Sequence, residues 1–183
     1  NTETFSSSNL LNNFVKIHSD KQRKYINNIS KEFSFNDIKR IFSNFFSIKV
    51  LIVGETIIDK YVFCETLGKS GKEPILVLRE IKTEKYYGGA LAIASHLSNF
   101  CKLINLFTMI GQKKEYQSDI IKNKPKNISV NFFYKNNSPT IVKKRFIDSI
   151  NKNKILGVYE INDEVINVKQ QKNIETQLNR LKG

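Results

Sequence analysis

Lys49-Val50-Leu51-Ile52-Val53-Gly54 is the stretch of sequence that decides the fold. After Lys49 it is wholly apolar and ends in glycine, which is typical of a strand buried in a parallel sheet. The next residues, up to Asp59, predict a turn just beyond the carboxyl end of that strand, where open α/β sheets bind ligands. A carboxylate there can accept hydrogen bonds from sugar hydroxyls, although an ordinary solvated turn is an equally good interpretation of Asp59.

The chain downstream of this strand alternates between strand and helix patterns. β-rich segments at Tyr61–Phe63 and Ile75–Ile81 flank a polar loop. Further segments complete the prediction: a helix over Ala90–Leu97, strands over Leu103–Ile110, Ile128–Tyr134, Thr140–Ile147 and Lys154–Ile161, a helix over 115–123, and a last helix capped by Asn162 or Asp163. Because strands and helices alternate at first and three strands then follow one another, we expect an α/β fold with a smaller antiparallel layer.

The residues before the first strand differ in pattern. Residues 19–47 contain two amphipathic helical patterns, the second of which Ser34 can cap. They predict a helical linker. Asn1 is not an initiator Met, and Gly183 directly follows a helical pattern, so we expect both ends to have been cut from a longer chain.

Composition argues against several classes of function. The chain has 183 residues and a formal net charge of +13, but only five of its 30 basic residues are Arg, the side chain that reads bases and clamps phosphates best. The charge is also spread along the chain, so a nucleic-acid partner is poorly supported. No apolar run is long enough to span a membrane and no signal segment opens the chain, so we expect a cytoplasmic protein without a membrane partner.

Two further motifs could carry chemistry. Gly88-Gly89 stands at a helix start, where free N–H groups favour an anion or a polyol oxygen, although such a pair often serves only as a tight turn. Lys143 and Arg145 share one face of a predicted strand and could hold a phosphate, or could simply protect an edge strand from aggregation. Gly68-Lys69-Ser70 is not part of a phosphate-binding loop, because Phe63 stands where that motif requires glycine.

In order and spacing, these features resemble the amino-terminal half of the ribokinase-like, or PfkB, carbohydrate kinases. They are most similar to the heptose-7-phosphate kinase domain of bifunctional ADP-heptose synthases. The likeness covers about residues 48–182 and rests on the following series: Val50–Glu55, Asp59-Lys60-Tyr61, Lys69-Ser70, Pro74–Val77, Gly88-Gly89-Ala90, Pro139-Thr140-Ile141 with Lys143 and Arg145, and Ile155–Asn162.

The resemblance implies a role for each matching residue. Asp59 would bind sugar hydroxyls, and Gly88 and Gly89 would lie beside the substrate. Lys143 and Arg145 would lie near the phosphate of a sugar phosphate. A lid over about residues 60–81, including the substrate-facing Lys69 and Ser70, would cover the sugar and could form a homodimer contact. Residues 48–183 would thus be an incomplete, amino-terminal half of a parallel ribokinase-like sheet with flanking helices and a small β lid.

The same resemblance implies ATP and Mg²⁺ as cofactors of the parent enzyme, bound mostly by residues outside this chain. The GAGD motif with the catalytic base and the NxxE magnesium motif do not occur before Gly183, so we expect no catalytic residue in this chain and no activity from it alone. The alternative is a non-catalytic sugar-phosphate or nucleotide-sugar binding module of the same fold. Residues 1–13 resemble the end of a cytidylyltransferase-like domain, so residues 1–18 would be the tail of a preceding nucleotidyltransferase domain.

Overall fold

The computed structural model describes residues 18–180 and divides between Phe45 and Phe46 into two units. The proposed nucleotidyltransferase tail lies almost wholly outside the described residues. Among residues 18–180, no helix combines the length and the apolar character needed to cross a membrane.

The first unit contains helices α1 (Asp20–Glu32) and α2 (Phe35–Phe45). Ser19 begins α1 with a capping box, in which its Oγ accepts from the Gln22 N–H at 3.3 Å and its N–H donates to Gln22 Oε1 at 2.8 Å. Ser34 begins α2 in the same way with Asp37, as the sequence predicts. Neither helix buries an apolar side chain, and that these two helices form a linker stays a prediction.

The second unit is a six-stranded mixed sheet with helices. Its elements are, in chain order, β1 (Lys49–Lys69), β2 (Leu76–Gly89), α3 (Ala90–Leu97), β3 (Leu103–Gly111), α4 (Gln117–Asn123), β4 (Ile128–Lys135), β5 (Ile141–Asp148), β6 (Lys154–Glu160) and α5 (Val168–Asn179). The order β4-β3-β1-β5-β6 runs across the sheet, and β2 pairs with β1 off this path.

Strand β1 pairs with different strands along its two parts, which divides the six-stranded sheet into two regions. Its first part, Lys49–Glu55, pairs in parallel with β3, which pairs in parallel with β4, and we call these three the parallel sheet. Its second part, Thr56–Lys69, pairs antiparallel with β2 on one side and parallel with β5 on the other. We call this second part, with β2, β5 and the antiparallel partner of β5, β6, the lid sheet.

The predicted turn between Gly54 and Asp59 is therefore wrong. The strand continues through these residues because Thr56 to Cys64 find new partners in β2 and β5 as soon as pairing with β3 ends at Glu55. Asp59 lies inside a strand, and the smaller layer is not made of the three consecutive strands that the sequence suggests, since β4 lies in the parallel sheet.

The core lies on one face of the parallel sheet. Alternate residues of β3 and β4, including Ile104, Leu106 and Ile128, pack there against Leu91 and Ala94 of α3. Each of these five side chains is at most 1% exposed. Thr56 and Thr108 are also fully buried and satisfy one another through hydroxyl groups 2.8 Å apart. The buried apolar cluster thus lies between the parallel sheet and α3.

The last helix begins later than predicted. Asn167, rather than Asn162 or Asp163, is its N-cap, and its Oδ1 accepts from the Gln170 N–H at 2.9 Å. The Oδ1 of Asn162 instead accepts from the Glu164 N–H at 2.8 Å, a local turn that competes with helix initiation.

Candidate functional site

The lid sheet brings four of the predicted site residues together. Asp59 on β1 lies opposite Lys143 on β5, and Arg145 follows two residues later on the same face. Gly88 on β2 lies on the other side of Asp59. A Cβ atom at Gly88 would be 2.6 Å from Asp59 Oδ2, so the absence of a side chain there lets the carboxylate lie directly against the backbone of β2.

Asp59 and Arg145 form an ion pair, which the sequence does not indicate. Nη1 of Arg145 donates to Oδ1 of Asp59, and the two side chains are 19% and 21% exposed. The hydrogen bond to Asp59 raises the pKa of Arg145 above its already high usual value. Asp59, the predicted partner of sugar hydroxyls, is thus already bonded to Arg145, a predicted partner of phosphate.

Lys143 has a different environment. Among residues 18–180 it forms no salt bridge, and its Nζ lies 5.8 Å from the centre of the Tyr159 ring. Since the charge of Arg145 is balanced by Asp59, Lys143 adds to this face a positive charge that has no salt-bridge partner among the described residues. The face can therefore attract an anion.

Gly89 has a structural reason to be glycine. Its φ of 60° and ψ of −139° suit glycine, and a Cβ atom there would lie 2.3 Å from the carbonyl oxygen of Glu55. It is the N-cap residue of α3 and makes no side-chain cap. Gly89 thus joins the end of β2 to α3 at the point where β1 leaves the parallel sheet.

Lys69 and Ser70 lie away from this cluster. Lys69 is the last residue of β1, ten residues beyond Asp59, which is about 30 Å along an extended strand. Ser70 closes the β1–β2 turn by donating its N–H to the carbonyl of Ile75 at 2.9 Å. The structure does not bring these two residues to Asp59.

Three tyrosines near the cluster were not predicted as site residues. Tyr61 and Tyr159 flank Arg145, with ring centres 5.6 and 5.7 Å from its Cζ, and Tyr86 meets the Tyr61 ring edge to face at 5.7 Å. The spacing of Tyr61 from Asp59 places both on one face of a strand and could have identified it. The position of Tyr159 depends on the pairing of β5 with β6, which no local pattern indicates.

Two hollows among residues 18–180 lie away from this cluster. One, of about 430 Å³, is lined by residues of β4 and α5, including Phe133, Asn173 and Gln177. Another, of about 630 Å³, is lined by Gln112, Glu115 and neighbouring residues after β3 and β4. Neither includes the cluster around Asp59. We favour that cluster as the candidate site because it combines a carboxylate, two cations and an accessible backbone.

Comparison with known proteins supports the α/β fold described above. No protein-family profile matches the chain. The bifunctional protein HldE of Haemophilus influenzae strain PittEE is 29% identical over 105 residues, covering 57% of this chain and 22% of HldE. HldE of Campylobacter jejuni strain RM1221 is 29% identical over 66 residues, covering 36% of this chain and 14% of that protein.

Two solved structures share the architecture. Phosphofructokinase-2 from Escherichia coli in complex with fructose-6-phosphate superposes with a TM-score of 0.51 at 12% identity, over 73% of this chain and 41% of the enzyme. A possible 1-phosphofructokinase from Thermotoga maritima gives 0.50 at 17% identity, over 71% of this chain and 40% of that protein. The predicted resemblance to ribokinase-like carbohydrate kinases is thereby confirmed, as is the α/β fold. The chain spans well under half of each of these relatives.

Proposed function

We propose that this chain is the sugar-binding part of an ATP-dependent carbohydrate kinase, whose substrate is a sugar or sugar phosphate of the heptose-phosphate type. One observation carries the proposal: Asp59 lies beside Lys143 and Arg145 on one face of the lid sheet. Sugar hydroxyls donate to the carboxylate, and a phosphate group accepts from the two cations. The resemblance to HldE and the sugar-kinase fold supports this substrate class.

The surroundings of Asp59 suit a polyol. Gly88 removes the side chain that would cover the carboxylate, so a ring hydroxyl can reach both Asp59 and the backbone of β2. Asp59 and Arg145 are each about four-fifths buried, which strengthens hydrogen bonds made there. The lid sheet would cover the bound sugar and exclude water during transfer, as the resemblance implies.

ATP and Mg²⁺ are not assigned to residues of this chain. Within residues 18–180, no three His, Cys, Asp or Glu side chains converge closely enough to hold a metal ion. We propose that phosphoryl transfer by the parent enzyme uses residues outside this chain.

A homodimer through the lid remains part of the proposal, as does a cytoplasmic location. The hairpin at the tip of the lid sheet exposes about half of the side chains of Leu67, Ile75 and Leu76. Apolar groups at the end of a projecting sheet are suited to contact with a second copy.

Binding measurements on the full chain test the site. We expect Asp59→Asn to weaken binding of both a heptose and its 7-phosphate by about 10-fold or more, because hydrogen bonds to a charged group are lost. Lys143→Ala should weaken binding of the phosphate ester alone. Lys144→Ala is the matched control, since it removes the same charge from the opposite face of β5. Isothermal titration calorimetry gives the dissociation constants.

The site assignment is wrong if Asp59→Asn and Lys143→Ala leave both affinities unchanged, or if Lys144→Ala acts like Lys143→Ala. A non-catalytic binding module would show the same binding pattern. ADP formation by the whole encoded protein, supplied with ATP and heptose 7-phosphate, separates a kinase from such a module.

A further inference from the structure

The guanidinium group of Arg145 lies between two aromatic rings. Its Cζ is 5.6 Å from the ring centre of Tyr61 and 5.7 Å from that of Tyr159, both within the range of cation–π attraction. Tyr61 lies directly opposite Arg145 on β1, and Tyr159 comes from β6 on the other side of β5. The two rings thus flank Arg145 from both neighbouring strands.

Gly157 gives the Tyr159 ring room beside β5. In the register of β5 with β6, Gly157 rather than Tyr159 is opposite Arg145. A Cβ atom at Gly157 would lie 3.3 Å from the Cε1, Cζ and Oη atoms of Tyr159, so the ring leans along the strand and lies over the glycine. A methyl group at residue 157 would require the ring to move by a few tenths of an ångström.

Tyr159 also does not have the environment of a core residue. It is 49% exposed, and its ring faces Lys143 at 5.8 Å in addition to Arg145. Tyr61 is held in turn by the edge-to-face contact with Tyr86. One half-exposed ring next to both cations, with a second ring on the far side of Arg145, indicates a function in orienting positive charge.

We propose that Tyr61 and Tyr159 are positioning residues that hold Arg145 beside Asp59, and that they thereby set a preference for phosphorylated over unphosphorylated substrates. This inference rests on the proposed function. The Arg145 guanidinium bonds to Oδ1 of Asp59, and Oδ2 lies beside Gly88, so a neutral sugar that donates to Oδ2 gains no contact with the guanidinium. A sugar phosphate can also accept from the remaining N–H groups of Arg145, provided that the rings keep the guanidinium close to the site.

Substitutions at residue 159 test the preference. The full chain is titrated calorimetrically with a heptose and with its 7-phosphate, and the ratio of the two dissociation constants is compared among variants. Tyr159→Leu should reduce the preference for the phosphate ester by about 3- to 20-fold, the range expected for loss of one cation–π contact. Tyr159→Phe keeps the ring and should retain the preference. Gly157→Ala should change the preference less than Tyr159→Leu, because the added methyl group shifts the ring only slightly.

Val158→Ala is the matched control, because Val158 is the neighbouring residue on the opposite face of β6. The proposal is overturned if Tyr159→Leu leaves the ratio unchanged, or if Val158→Ala lowers it equally. A wild-type chain that binds neither sugar refutes the proposed function and, with it, the substrate preference.

The positioning role has its own measurement, which needs no ligand. Hydrogen exchange of the Arg145 Nε–H group, followed by NMR, should be faster in Tyr159→Leu than in the wild-type chain and in Tyr159→Phe. An unchanged exchange rate in Tyr159→Leu would refute the positioning role whatever the binding data show.

Discussion

The parallel sheet and the outer strands of the lid sheet have different environments. One face of the parallel sheet is covered by α3 and contains Ile104 and Leu106, both 0% exposed. In the lid sheet, Ile58 and Val62 on the central strand β1 are also buried, but Leu76 on β2 and Leu156 on β6 are 51% and 53% exposed. The sheet beneath α3 is stabilised mainly by apolar burial, whereas the outer strands of the lid sheet have side chains available for a ligand.

Ion pairs follow the same division. Of the five salt bridges among residues 18–180, four involve the lid sheet and none lies within the parallel sheet. These four are Arg79–Glu65, Lys82–Glu84, Lys85–Asp119 and Arg145–Asp59. A charged side chain of the lid sheet can exchange one polar partner for a ligand group, which the apolar side chains packed beneath α3 cannot do.

Truncating one leucine in each region should give the largest difference. Leu106→Ala should lower the free energy of unfolding by about 2 to 5 kcal/mol, because it leaves a cavity in a close-packed core. Leu156→Ala, the matched substitution in the lid sheet, should cost less than about 1 kcal/mol because the side chain is already half in water. Urea unfolding of both variants measures the difference, and equal costs would contradict the division drawn here.

The buried hydroxyl pair tests the boundary between the two regions. Thr108→Val leaves the Thr56 hydroxyl buried without its partner and should cost about 1 to 3 kcal/mol. The double variant Thr56→Val/Thr108→Val should recover most of this loss, since both polar groups are then absent. A double-mutant cycle by urea unfolding gives the coupling. Additive costs for the two substitutions would show that the pair is not a unit.

The smallest change in the free energy of unfolding is expected for a substitution of Asp119 on α4, which contacts β2 of the lid sheet. Asp119 accepts from Lys85, from the Tyr87 hydroxyl at 2.6 Å and from Asn123 at 3.0 Å. These hydrogen bonds lower the pKa of Asp119, and the bond from Lys85 has the largest effect. Burial, together with the bond to Asp119, raises the pKa of Tyr87 to about 12. Asp119→Asn should cost about 1 kcal/mol at pH 7.

The stability cost of Asp119→Asn should decrease at low pH. A carboxyl group whose pKa is lowered by folding contributes its stabilisation above the unfolded pKa of about 3.9 and loses it as the pH falls through the folded value. The gap in thermal stability between wild type and Asp119→Asn should therefore narrow as the pH falls below about 4 and close once the pH is below the folded pKa. Asp163→Asn, at an exposed residue without a salt bridge among those described, should show no such gap. A gap that does not narrow at all between pH 7 and the acid range would rule out the ionised carboxylate as its cause.

Several elements and part of the site followed from sequence alone. The apolar runs that became β3 and β4, and the helix after Gly88-Gly89, lie within a residue or two of their predicted limits. The shared face of Lys143 and Arg145 also followed, because side chains alternate along any strand. These features depend on neighbours a few residues apart, and such neighbours are visible in a sequence.

Only the tertiary structure decided which strands pair and therefore which side chains meet. The predicted turn before Asp59 is part of a long strand because β2 and β5 supply hydrogen-bond partners. Arg145 is 86 residues from Asp59 along the chain, and Tyr159 reaches the same place through β6. Alternation along a strand determines the face that a residue occupies. The register between distant strands, set by the competition of all possible pairings, determines what that face contacts.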